Sequence, residues 1–117
     1  MKTIIILLLL CTPAYASDWT KADTAREVAW EALHLVDWGQ TLNIARNPQQ
    51  FRELNPLIGE HPSVGRVNLY MGISAVAHPV ISYLLPKEYR LYWQWGTIFV
   101  TTGCVINNQM IGLRVRF

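Results

Sequence analysis

Glu31-Ala32-Leu33-His34 sets a carboxylate three residues before an imidazole, and Asp37 and Thr41 continue the same run of the chain. Glu-x-x-His is the spacing with which di-iron bundles hold metal, because it puts oxygen and nitrogen ligands on neighbouring positions of one helix. Such a centre also needs a second Glu-x-x-His and two more glutamates, and the remaining histidines, His61 and His78, stand without that company. A mononuclear site built from His34, Asp37 and either His61 or His78 stays geometrically open, and with it an intramembrane metal-binding protein or enzyme. Ser63, Ser74 and Ser82 lie in no strand–turn–helix setting of the kind that poises a serine nucleophile. No catalytic residue, metal or cofactor is assigned. The polar groups read instead as one internal hydrogen-bond network, since unpaired polar groups are expensive inside a bilayer. In that network Asp37 and His34 face Asn68, Ser74 or His78 from one neighbour and Thr97, Thr101 or Asn108 from another. A path for a proton, an ion or a ligand is the functional alternative for the same stripe.

The elements that must position these groups follow from the apolar pattern. Met1-Lys2, an apolar run over Thr3–Leu10, and Ala14-Tyr15-Ala16 have the layout of a secretory signal peptide, with cleavage expected after Ala16. Residues 17–117 then form a single domain, expected to be an all-α membrane bundle of about three helices near 20–45, 67–85 and 89–113. At about 100° per residue, Glu27, Trp30, His34, Asp37 and Thr41 share one face of the first helix, while Val28, Ala32, Leu35, Gly39 and Leu42 share the other. Asp23 or Thr24 is expected to cap its start, and Arg46-Asn47-Pro48 ends it. Four ionisable groups make that helix a poor lipid-facing one, so it turns its polar face inward or lies at the interface. Pro48, Pro56, Pro62, Gly59 and Gly65 forbid a long helix across the connector, which Phe51, Leu54, Leu57 and Ile58 would anchor to the bundle.

The second helix holds 19 residues without Asp, Glu, Lys or Arg, with Pro79 expected to kink it and Gly72 and Ala75 offering close packing. The third opens on Tyr92, Trp93 and Trp95, an aromatic cluster of interfacial type. If all three span, the N-terminus stays outside, and Arg46, Arg52, Arg66, Arg114 and Arg116 lie inside, against Lys21, Arg26, Lys87 and Arg90 outside. The alternation of Ile111, Leu113, Val115 and Phe117 admits a short terminal strand or an amphipathic tail. A whole barrel would need many such alternating segments. Cys104, alone once Cys11 leaves with the signal, is expected to be a buried apolar residue, and no disulfide is available.

Composition agrees with lipid as the solvent. Charged residues are 15 % of the 117-residue chain, hydrophobic ones 51 %, and there are five tryptophans and five tyrosines. Ordinary soluble domains carry about 25 % charge. A net charge of +2 without any basic cluster excludes a nucleic-acid partner.

One stretch looks familiar. Asp37 followed four residues later by Thr41, then Glu53-x-Asn55-Pro56 and Gly59-x-His61-Pro62-Ser63, resembles the shared pattern of a group of small exported membrane proteins of bacteria and their prophages. The resemblance implies a helical membrane fold and a phage or prophage origin, but no activity. The expectation is therefore a non-enzymatic, multi-pass inner-membrane protein. It would act through the lipid bilayer, on a membrane-protein partner or as a homo-oligomer, in the manner of superinfection exclusion or holin-like lysis. An outer-membrane or periplasmic structural protein is a further alternative.

Overall fold

A computed structural model of the chain describes residues 18–117; the expected signal peptide lies outside the described residues. Three helices make up the fold: α1 (Lys21–Arg46), α2 (Val64–Leu84) and α3 (Lys87–Met110), and no strand occurs among the described residues. The all-α expectation holds.

Local chemistry sets the helix ends. Thr20, not Asp23 or Thr24, is the N-cap of α1: its hydroxyl accepts from the Asp23 amide while the Asp23 carboxylate accepts from the Thr20 amide. This reciprocal capping box satisfies two otherwise orphaned donors. Ser63 caps α2 in a simpler way, accepting from the Arg66 amide, which starts that helix three residues before the apolar run. Leu85-Pro86 is all that separates α2 from α3, and Gly112, at φ 93°, turns the chain after α3. The connector is a compact loop. Glu53 Oε1 accepts from the amides of Leu54 and Asn55, and Asn55 Oδ1 accepts from the amide of Leu57. Asn55 Nδ2 reaches the Tyr70 hydroxyl at 3.1 Å, stapling the loop to α2. Of the expected anchors only Ile58 is buried, joining Leu42, Val67 and Met71 in a small apolar cluster; Leu54 and Leu57 are exposed.

α1 is the centre of the bundle. It packs along both other helices, whereas α2 and α3 touch each other little and leave a crevice between them. What the packing buries is unusual: Asp23, Glu27, His34, Gln40, His78, Ser82, Arg90 and Gln94 are all inside, while Leu69, Ile73, Val76, Phe99 and Val100 are outside. Val28 and Leu35 face outward and Glu27, Trp30 and His34 inward, as the helical spacing requires, but Gly39 and Leu42, expected on the outer face, are buried: the C-terminal tail covers Gly39, and Leu42 packs on Ile58, Val67 and Met71. Among the described residues, α2 alone is long and apolar enough to cross a membrane by length and composition, and only 22 % of its apolar window is buried. Cys104, expected inside, is exposed. It lines the open cavity beneath the connector, together with Asp37 and Glu53.

The last residues form a tail rather than a strand and fold back on α1. The Arg116 amide donates to the Gly39 carbonyl at 3.1 Å, and Arg46 donates to the Arg116 carbonyl at 2.7 Å. A Cβ on Gly39 would overlap the Val115 side chain and lie 3.0 Å from the Phe117 ring. Val115 is β-branched and cannot swing aside cheaply. Gly39→Ala is therefore expected to release the tail and raise the rate of tryptic cleavage after Arg114, with α1–α3 retained by circular dichroism.

Candidate functional site: a polar column through the bundle

Asp23, Glu27, Trp30, His34, Asp37 and Thr41 follow the i, i+4, i+7 rhythm of one helix face, and on α1 that face points at the other two helices. His78 and Ser82 project from α2, four apart, and Arg90, Gln94, Thr97, Thr101 and Asn108 from α3. Together they make a column of polar groups where a water-soluble protein would have aliphatic core.

At one end Arg90, fully buried, ties the three helices. Its guanidinium donates to Asp18 Oδ1 at 2.9 Å, to the Ser82 carbonyl at 2.8 Å and to the Leu85 carbonyl at 2.9 Å, and it pairs with Asp23 at 3.4 Å. Trp19 covers it, the ring centre 5.0 Å from the guanidinium carbon. Arg26 bridges Asp23 at 2.6 Å and Gln94 Oε1 at 2.7 Å. Gln94 Nε2 in turn donates to Glu27 Oε1 at 2.9 Å.

One turn deeper, the Glu27 carboxylate collects Gln94 Nε2, the Ser82 hydroxyl and, at 2.9 Å, His78 Nδ1. His78 Nε2 lies 2.7 Å from the Thr97 hydroxyl. Four rings hold this arrangement flat. Trp30 stacks on His78 at 3.7 Å between centres and on His34 at 4.5 Å, and Trp93 closes the other side of His78 at 4.9 Å. The remaining groups are also paired: Trp30 Nε1 donates to Thr101 at 3.2 Å, Trp93 Nε1 to Ser82 at 3.0 Å, and His34 Nε2 meets the Met71 carbonyl at 2.9 Å. Among the described residues no buried side-chain nitrogen or oxygen lacks a partner.

The residues singled out by sequence divide between two places. Asp37 accepts from Asn108 at 3.1 Å, one of the pairings expected of it, and the Thr41 hydroxyl donates back to the Asp37 carbonyl at 2.8 Å. Asp37, Thr41, Glu53 and Asn55 line one cavity of about 460 Å³ beneath the connector. Glu53 spends its carboxylate on the loop's own amides and makes no hydrogen bond to Asp37. His78 meets Glu27 rather than Asp37, and His61 is exposed on the connector. Thus His34, Asp37, His61 and His78 are not gathered, and no cluster of three His, Cys, Asp or Glu suited to a metal exists among the described residues.

Sequence reasoning passed over Arg90, Gln94 and Ser82 as site residues. The usable signal was the two-residue turn, which forces the end of α2 and the start of α3 side by side, so that Ser82, Arg90 and Gln94 must meet. No family model, curated protein or solved structure matches the chain.

Proposed function

We propose that this chain is a small integral protein of the bacterial inner membrane whose three helices cross the bilayer together. The observation that carries the reading is the inversion of inside and outside. Ten polar or charged side chains are buried, while residues such as Leu69, Ile73, Val76, Val80, Phe99 and Ile106 coat the surface. In water that exchange would forfeit about 25 cal/mol for every Å² of apolar surface left wet. In lipid it forfeits nothing, and an internally satisfied network is what a bilayer demands. At 1.5 Å per residue, α2 spans about 31 Å, matching a hydrocarbon core of about 30 Å. α1 and α3, at 26 and 24 residues, are longer still. Their mean hydropathy is low in part because of polar residues, such as Glu27, His34, Arg90 and Gln94, that face inward.

The role proposed is exercised in the bilayer or on a membrane partner, a second copy included, in the manner of superinfection-exclusion or holin-like proteins. The sequence resemblance supports this and adds a phage or prophage origin. Membranes from cells expressing the chain test the reading. The protein should stay in the pellet at alkaline pH, band with inner-membrane markers on a density gradient and need detergent for release. Cys104 should resist a membrane-impermeant maleimide until detergent is added. Release by alkaline carbonate alone would sink the proposal, and banding with outer-membrane markers would replace it by the outer-membrane alternative.

A further inference from the structure

The crevice between α2 and α3 has almost wholly apolar walls and a volume of about 360 Å³, within the range of about 300–1,000 Å³ of small-molecule sites. Its floor is Trp30, His78, Trp93, Thr97 and Thr101. We propose that Thr97, His78 and Glu27 form a hydroxyl–imidazole–carboxylate relay for acyl transfer, opening on this crevice and directed at esters of uncharged, long-chain acyl groups.

The geometry is that of a nucleophile, its base and the group that orients the base, a constellation recognised by roles rather than by fold or residue order. Thr97 Oγ1 lies 2.7 Å from His78 Nε2, and His78 Nδ1 lies 2.9 Å from Glu27 Oε2. Ser82 and Gln94 already donate to Glu27, so the carboxylate is an acceptor in this cluster. That places the imidazole hydrogen on Nδ1 and leaves Nε2 as the basic atom facing Thr97. Rings on both sides of His78 prevent it from turning away. The single hydroxyl hydrogen of Thr97 has three acceptors within reach, His78 Nε2 and the carbonyls of Trp93 at 2.8 Å and Gln94 at 3.1 Å, and the relay is engaged when it points to Nε2.

In the step proposed, Thr97 Oγ bonds to the acyl carbon of the ester as His78 Nε2 takes the hydroxyl proton. The ester C–O bond then breaks, and the leaving alkoxide recovers that proton from His78. Water, activated by the same nitrogen, hydrolyses the acyl-threonine to a free acid and restores the hydroxyl. Thr101, one turn along α3 on the same crevice, accepts from Trp30 Nε1 at 3.2 Å and has its own hydrogen to give to the developing oxyanion. The relay stands on geometry alone; the long-chain substrate class rests on the membrane reading as well.

Purified protein in detergent, treated with an alkyl fluorophosphonate and with p-nitrophenyl esters of increasing chain length, tests it. One phosphonyl group should add at Thr97, and ester hydrolysis should rise with acyl length. Thr97→Val keeps the side-chain shape and His78→Gln keeps a polar ring substitute; each should lower hydrolysis at least about a hundredfold, the lower range for loss of a positioned base. Thr97→Ser should keep the adduct. Circular dichroism and elution volume establish that each variant is folded. Folded wild-type protein that takes no adduct, takes it at Ser82, or hydrolyses esters no faster than Thr97→Val overturns the relay. Such a result in protein that still requires detergent leaves the membrane reading intact. An adduct at Thr97 in protein that is freely soluble supports the relay and overturns the membrane reading instead.

Discussion

Glu27→Ala is expected to cost the folded bundle about 1.5–3 kcal/mol, the range for hydrogen bonds made to a charged group. Gln94 Nε2, the Ser82 hydroxyl and His78 Nδ1 all meet on Glu27; Ser82 also has the His78 carbonyl at 3.0 Å and Gln94 the Asp23 carbonyl at 3.1 Å, so the loss of Glu27 falls chiefly on His78 Nδ1. A neutral hydrogen bond across a membrane bundle is worth only about 0.6 kcal/mol, because the separated helices find other partners in lipid. A buried carboxylate that joins two helices is a different case, since bonds to a charged acceptor are stronger than neutral ones. Glu27→Gln should lose less: it keeps one acceptor oxygen but turns an NH2 toward groups that also donate. Denaturant or dodecyl-sulfate titration in mixed micelles, followed by far-ultraviolet circular dichroism, gives the comparison. A loss under about 1 kcal/mol for Glu27→Ala would mean that the helices are held by apolar contacts and that the network is a passenger.

Why a hydropathy average picks out α2 and passes over α1 and α3 follows from where the charges went. α2 contributes His78 and Ser82 to the network and little else that is polar to the interior, so its mean hydropathy survives. α1 and α3 contribute Asp23, Glu27, His34, Gln40, Arg90 and Gln94, every one buried. An average along the chain charges each of these as though lipid met it. The moment that matters is the one pointing at the bundle axis, and in α1 it is polar inward.

The stripe on α1 was legible because helical spacing alone places Glu27, Trp30 and His34 together. Their partners were harder to read. Seventeen residues separate α1 from α2, and a connector of that length allows many axial registers, so the pairing of His78 with Glu27 instead of Asp37 is not encoded in any local pattern. The apolar cluster of Leu42, Ile58, Val67 and Met71 joins α1, the connector and α2 at that register, and it takes a residue from each. The α2–α3 register was legible in principle, yet Arg90 reads as a flanking charge unless one asks which carbonyls a helix end leaves over. Thr97 was expected in the network, but its pairing as a hydroxyl with His78 was missed for another reason. A search for nucleophiles centred on serines in sharp turns, whereas here a hydroxyl in mid-helix gains its partner from a neighbouring helix. Cys104 was misplaced because its apolar sequence neighbours say nothing of the cavity that opens beside it under the connector.

Arg90→Lys tests whether the junction of the three helices depends on a guanidinium or on charge alone. Arg90 serves Asp18, Asp23 and the carbonyls of Ser82 and Leu85, which is to say the start of α1 and the last turn of α2. Those two carbonyls belong to the end of a helix, where the chain has no further amides to offer them. A planar fork with five donors reaches several acceptors at fixed angles, and a lysine ammonium, a compact point charge on a flexible stem, does not. Keeping the charge should therefore recover less than half of the stability lost in Arg90→Met, which itself should be about 3–5 kcal/mol. The same titration in micelles measures both. A double-mutant cycle with Asp23→Asn then isolates the ionic part, expected at about 0.5–3 kcal/mol for groups in one network. If Arg90→Lys unfolds like the native chain, the carbonyls at the end of α2 are satisfied without the fork, and the junction is held by Trp19 and the short turn.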